Sequence, residues 1–258
     1  MTPPAPPLPA GFLRLPLAHR ALHDLAAGVP ENSRAAIRAA IAAGYGIEID
    51  LQLSADGQAM VFHDHDLDRL TAETGLVHAR SAAALAQIPL AGGNGETVPT
   101  LAEVLALVAG RVPLLIELKD QSDNGGDTAL ATATARALAV YAGPVAVMSF
   151  SPVLVAAMAR LAPDVPRGLT TGTFDPVDYA PIPADICARL RGIPDYAATG
   201  SSFISHELCD LTRDRVLALK SEGAAILCWT VKSPADEVLA RQVADNITFE
   251  GYLAPLPA

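Results

Sequence analysis

What most limits the fold of this chain is an alternation. Short runs rich in β-branched and aliphatic residues are separated by longer Ala/Leu-rich stretches. The short runs are FLRLPLA (12–18), IEIDLQL (47–53), VPLLIEL (112–118), VAVMSF (145–150), PRGLTT (166–171), SSFIS (201–205), AAILCWT (224–230) and NITFE (246–250). Helices are expected over 31–44 and near 100–109, 127–141, 151–161, 211–222 and 234–243. Eight strands with helical crossovers predict a TIM (β/α)8 barrel within 258 residues. The main competitor, a doubly wound open sheet, would favour a G-x-G-x-x-G turn opening its first helix, and none is found.

One further run, VFH (61–63), follows the second strand too closely for a parallel return, which needs a dozen or more residues. The intervening SADG is a turn signal, so a short β-hairpin after the second strand is expected. Residues 1–11 read as a Pro-rich N-terminal arm, extended by its prolines, and residues 12–258 as a single barrel domain.

Composition narrows the partners. The net charge is −10, and no Lys/Arg cluster offers the basic face that nucleic-acid backbones require. Attachment to a membrane surface through basic residues is disfavoured for the same reason. No uninterrupted apolar run reaches about 18 residues, so no membrane span is expected. The first dozen residues lack the basic start and apolar stretch of a secretory signal. Cys187, Cys209 and Cys228 form neither a zinc pattern nor a disulfide framework and suit a reducing compartment. A cytoplasmic protein is expected. Its oligomeric state is left open.

The unusual polar residues fall at the ends of the expected strands. His19 and Arg20 follow the first, Glu48 and Asp50 lie on the second, Glu117 and Lys119 end the third, Ser149 the fourth and Trp229 the seventh. In a barrel these positions share the C-terminal face, where active sites are built. Each pair two residues apart points to one side, while Ile47, Ile49, Ile116 and Leu118 point to the other. Three converging carboxylates repel by several kcal/mol per pair at about 4 Å in an intermediate dielectric. A hard divalent cation, Mg²⁺ or Ca²⁺, would hold Glu48, Asp50 and Glu117 through oxygen. Zinc would more often recruit histidine or thiolate.

If Asp56-Gly57 is a two-residue loop, Asp50 faces His63 across the hairpin. A one-residue slip would turn His63 away. Two histidines flanking a metal, with Arg20 and Lys119 nearby, suit phosphoryl chemistry. Blander roles compete: Arg20 could pair with Glu31, Lys119 could neutralise a carboxylate, and Trp229 could be plain core. His23, His65 and His78 are expected to be solvated. PENS (30–33) reads as a helix start, and GGNGE (92–96) and DNGG (123–126) as flexible loops near the mouth.

HR at 19–20, PENS at 30–33, EID at 48–50, VFHD at 61–64, LDRLT at 67–71, PTLAEVL at 99–105, IELK at 116–119, SF at 149–150 and WTV at 229–231 occur in this order. Together they resemble the glycerophosphodiester phosphodiesterases, and the compact length resembles bacterial cytoplasmic members. The resemblance implies a TIM barrel with a divalent metal on Glu48, Asp50 and Glu117. It implies His19 and His63 as an acid–base pair, with Arg20 and Lys119 facing phosphate; Trp229, from its place at a strand end, is expected to wall the substrate pocket. The implied reaction releases glycerol 3-phosphate and an alcohol from small glycerophosphodiesters such as glycerophosphocholine or glycerophosphoethanolamine. Two alternatives stand beside it. One is a lysophospholipase D acting on lipid-like diesters, hinted at by Phe249 and Leu253. The other is a barrel that binds a phosphorylated metabolite without turnover, against which the pair of histidines argues. Two departures from the family pattern stand out: Ala21 where Gly is usual, and Phe249-Glu250 in place of Thr-Asp.

Overall fold

The eight expected strands form one closed ring in the computed structural model, which describes residues 6–121, 127–180 and 182–257. They are β1 (Leu17–Ala18), β2 (Gly46–Leu53), β4 (Leu114–Leu118), β5 (Val145–Ser149), β6 (Arg167–Thr171), β7 (Phe203–Glu207), β8 (Ala225–Val231) and β9 (Asn246–Phe249). All pair in parallel, in the order β1-β9-β8-β7-β6-β5-β4-β2, and β1 closes onto β2. The short β3 (Ala59–Val61) lies outside the ring, antiparallel to β2. The helices are α1 (Ala10–Arg14), α2 (Arg34–Ala43), α3 (Ala82–Leu85), α4 (Leu101–Val108), α5 (Ala129–Leu138), α6 (Pro152–Leu161), α7 (Ala184–Arg191), α8 (Asp214–Ser221) and α9 (Pro234–Ala240). The architecture is a TIM barrel.

Two cores follow from strand alternation. Ile47, Ile49, Ile116 and Leu118 belong to the large core between the ring and the helices. Leu17, Leu115, Phe203 and Leu227 fill the barrel interior. Glu48, Asp50 and Glu117 take the alternate positions, so their side chains turn away from the helices. A third cluster, Met60, Phe62, Leu67, Val77 and Leu85 among them, supports the segment after β3.

Five local expectations are corrected. FLRLPLA is not one strand: residues 10–14 form α1, and only Leu17–Ala18 pairs in the ring. The reason is Phe12, fully buried in the interior cluster with Leu8. Its burial contributes on the order of 2 kcal/mol and holds α1 against the barrel. The second helix starts at Arg34 rather than at 31, because the Ser33 side chain accepts from Ala36 N and caps it. The helix α7 had no counterpart in the expected set. Phe249 is 1% exposed and packs edge-on against Tyr45 and Tyr252, so it offers no apolar groove to a lipid.

The fifth correction is the hairpin register. Leu51 faces Val61 and Leu53 faces Ala59, so the loop holds three residues, 55–57, instead of two. Gly57 N bonds Ser54 O, Ser54 N bonds Gln58 O, and Gly57 sits at φ +74°. A third loop residue in the left-handed region is the usual form of such turns. Asp50 therefore faces Phe62, whose N–H bonds the Asp50 carbonyl, rather than His63. GGNGE carries a specific contact: Glu96 pairs with Arg38 and receives the Arg34 N–H. DNGG (123–126) lies outside the described residues. Among the described residues no helix is long and apolar enough to cross a membrane.

Candidate active site

Register brings the acids together. β2 and β4 pair so that Asp50 faces Glu117, and Glu48 lies two residues earlier on the same side. Glu48, Asp50 and Glu117 are 1%, 1% and 5% exposed, and one oxygen from each lies within 4.8 Å of the others. Burial first, and then the Asp50 and Glu117 charges, push the Glu48 carboxyl well above the usual carboxylate range. Burial also opposes charge on Asp50, but Lys119, His63 and Arg20 hold it well below that range. Lys119 Nζ lies 2.8 Å from Asp50 Oδ1 and also bonds Glu117. An all-oxygen, buried, mutually repelling set suits a hard divalent cation, so these three residues fit the implied metal.

A second layer fixes the acids. Asn32 donates to Asp50 Oδ2 at 3.0 Å and its side-chain oxygen accepts the Asp50 N–H at 3.3 Å. Arg20 N donates to Glu48 Oε2 and Ala21 N to the Glu48 carbonyl, both at 2.9 Å. The loop achieves this with Arg20 and Ala21 both in the left-handed region, at φ 52° and 64°. Arg20 Nη1 bonds Glu31 at 2.8 Å while its Nε, 3.7 Å from Asp50, has no hydrogen-bond partner among the described residues. PENS is thus more than a helix start, since Glu31 and Asn32 both reach the site.

A cavity of 490 Å³ opens on this cluster. All eight expected site residues line it: His19, Arg20, Glu48, Asp50, His63, Glu117, Lys119 and Trp229. Trp229 forms a wall, with its indole N–H on the Thr171 and Ser205 carbonyls and its ring 5.6 Å from that of Phe150. His63 reaches the cavity despite the shifted register because β3 ends at Val61 and the chain bends. Gln52 then holds the His63 carbonyl at 2.9 Å.

Each of these two histidines meets a carboxylate through Nδ1. His19 lies 2.6 Å from Glu250 Oε2, and His63 lies 2.6 Å from Asp64 Oδ1. Burial lowers the His19 pKa, and the bond to Glu250 opposes that shift. His23 also lines the cavity, 3.8 Å from Glu250, rather than standing in solvent. Sequence reasoning did not assign roles to Asp64, Arg69, Asn32 or Glu250. Asp64 was signalled by its adjacency to His63, and Glu250 only by its departure from a family pattern.

The fold and this cavity define a TIM-barrel protein with two histidines and three buried carboxylates lining one cavity. The model of the glycerophosphoryl diester phosphodiesterase family matches residues 19–247, and the chain belongs to that family. A glycerophosphodiester phosphodiesterase of Caldanaerobacter subterraneus is 38% identical over 98 residues, 35% of this chain and 40% of that protein. The chain therefore aligns with less than half the length of that relative. A Mycobacterium tuberculosis protein named as a probable glycerophosphodiester phosphodiesterase 1 is 27% identical over 248 residues, covering 88% of this chain and 85% of its own. Among solved structures, an Oleispira antarctica phosphodiesterase in complex with the product sn-glycerol-3-phosphate superposes with a TM-score of 0.74 at 24% identity. That match covers 92% of this chain and 93% of the other.

Proposed function

We propose that this chain hydrolyses small glycerophosphodiesters, such as glycerophosphocholine, to glycerol 3-phosphate and an alcohol. The observation that carries the reading is one cavity in which His19 and His63 flank three buried carboxylates. Glu48, Asp50 and Glu117 would hold a divalent cation, with Mg²⁺ favoured and Ca²⁺ the alternative. When bound, that ion supplies charge stabilisation to the phosphoryl oxygens.

The chain's own groups do the rest. Arg20 and Lys119 present cationic donors to the phosphate. His19, kept neutral by burial and with Nδ1 occupied, offers Nε2 as the base for the neighbouring glycerol hydroxyl, which attacks phosphorus and closes a cyclic phosphate as the bond to the alcohol oxygen breaks. His63, backed by the Asp64 carboxylate, hands a proton to the departing alcohol oxygen. Water then opens the cyclic phosphate with the two roles exchanged. Trp229 and Phe150 give the alcohol an apolar wall. Three free cysteines are in keeping with a cytoplasmic setting.

The test is release of glycerol 3-phosphate from glycerophosphocholine with Mg²⁺, with and without chelator. Release should require the ion and fall at least about a hundredfold in His19→Ala and in His63→Ala. Unchanged release in either variant would overturn the assignment.

A further inference from the structure

We infer that Glu250 is the positioning residue of His19: it fixes the tautomer and the direction of that imidazole. The inference rests on the reading of His19 as a proton-transfer group. Its geometry is independent of that reading. The ends of β1 and β9 are tied by the bond from His19 N to Phe249 O at 2.9 Å, which sets the His19 and Glu250 side chains next to each other. Glu250 N in turn bonds Val231 O at 3.0 Å, so the residue is anchored at the end of β8 as well. From that anchor its Oε2 reaches His19 Nδ1 at 2.6 Å, a distance expected of a charge-assisted bond.

A carboxylate only accepts, so the shared proton sits on Nδ1 of the neutral imidazole and the lone pair is left on Nε2. This is the form that a base facing the cavity needs. The other oxygen of Glu250 is occupied by Lys232 Nζ at 2.9 Å, which keeps the carboxylate ionised and limits its rotation. Burial of His19, followed by the nearby Arg20 charge, favours the neutral imidazole. Glu250 and Asp50 oppose that, and among the described residues His23 and Lys232 also face Glu250. Glu250 thus holds a neutral histidine in one orientation. Gln at this position could offer an N–H to Nδ1 and stabilise the wrong tautomer. Asp would end one methylene, about 1.5 Å, short of the ring.

The experiment compares wild type with Glu250→Gln, Glu250→Asp and Lys232→Met as full chains. ¹⁵N-histidine spectra report the His19 tautomer, assigned by its loss in His19→Ala. Steady-state kinetics on glycerophosphocholine with Mg²⁺ are followed across pH. Wild type and Lys232→Met should show the Nδ1–H form, and Glu250→Gln should shift His19 toward Nε2–H. In Glu250→Gln kcat should fall roughly a hundred- to ten-thousandfold, with KM changed less than about threefold and the acidic limb moved to lower pH. Glu250→Asp should recover only part of kcat. An unchanged tautomer together with a superimposable pH profile in Glu250→Gln would overturn the inference. Should His19→Ala keep full activity, the proposed function of His19 fails, and the tautomer measurement still decides the role of Glu250.

Discussion

Nδ1 of His63 lies 2.6 Å from Oδ1 of Asp64, its own chain neighbour, and Arg69 bonds both oxygens of that carboxylate. Arg69 also grips both oxygens of Glu31, which in turn binds Arg20. One exposed guanidinium therefore links the orientation of His63 to that of Arg20 across the cavity mouth. Arg69→Gln should cut kcat about tenfold or more by freeing Asp64 to rotate. Its stability cost should stay near 1 kcal/mol because the pair is solvent-exposed. Kinetics and urea unfolding of the same variant separate the two, and an unaltered kcat would contradict the coupling.

Asp64 also predicts a pH dependence. Burial opposes its charge, but the bonds from His63 and then Arg69 hold its carboxyl well below the usual carboxylate range. A carboxyl depressed in the folded state stabilises the protein above its unfolded pKa of about 3.9. That contribution disappears as pH falls toward the folded value. Wild type should lose stability steadily from about pH 5 to pH 3. Asp64→Asn should be less stable at pH 7 and show a shallower slope in that window. Equal slopes in urea titrations across pH would refute this.

Much of this site was legible because β-strands have a period of two. Glu48 and Asp50 between Ile47, Ile49 and Leu51 can only mean acids on one face and aliphatics on the other. The same logic found Glu117 and Lys119. It failed where the chain leaves regular structure. The register after β2 depended on whether Gly57 closes a two- or a three-residue loop, and both are common turns. His63 reached the cavity by a bend that no periodicity encodes. Phe12 was hidden for a different reason. Its short helix is stabilised by tertiary burial under the barrel, not by any local pattern. Glu250 sits just past a strand end, and its partner is 231 residues away.

Ala21 occupies a left-handed backbone position at φ 64° while only 1% exposed. A β-carbon there costs roughly 1–2 kcal/mol. Its buried methyl returns about 0.8 kcal/mol. Ala21→Gly should therefore be neutral or stabilising by up to about 1 kcal/mol, with the Ala21 N–H still bonded to the Glu48 carbonyl. Chemical denaturation measures the difference. A loss larger than about 1 kcal/mol would show that the left-handed turn is not strained.

Lys119 supplies a cation to the acids it touches. Its ammonium contacts Asp50 and Glu117, while Glu48, beside them, is pushed toward its protonated form. Removing one member of a buried ion pair costs about 3–5 kcal/mol, because the partner charge remains buried. A divalent cation on the same oxygens offsets that loss by mass action, about 2.7 kcal/mol at a hundredfold excess over Kd. Lys119→Met should therefore unfold several degrees lower than wild type in chelator, at about 2–4 °C per kcal/mol for a chain near this size. Saturating Mg²⁺ should restore a large part of that gap and raise the variant's Tm by more than the wild type's. Thermal unfolding of both proteins, with chelator and with Mg²⁺, reads the result. If neither protein responds to the ion, Glu48, Asp50 and Glu117 are not its ligands, and the carboxylate cluster must be held by Lys119 and Arg20 alone.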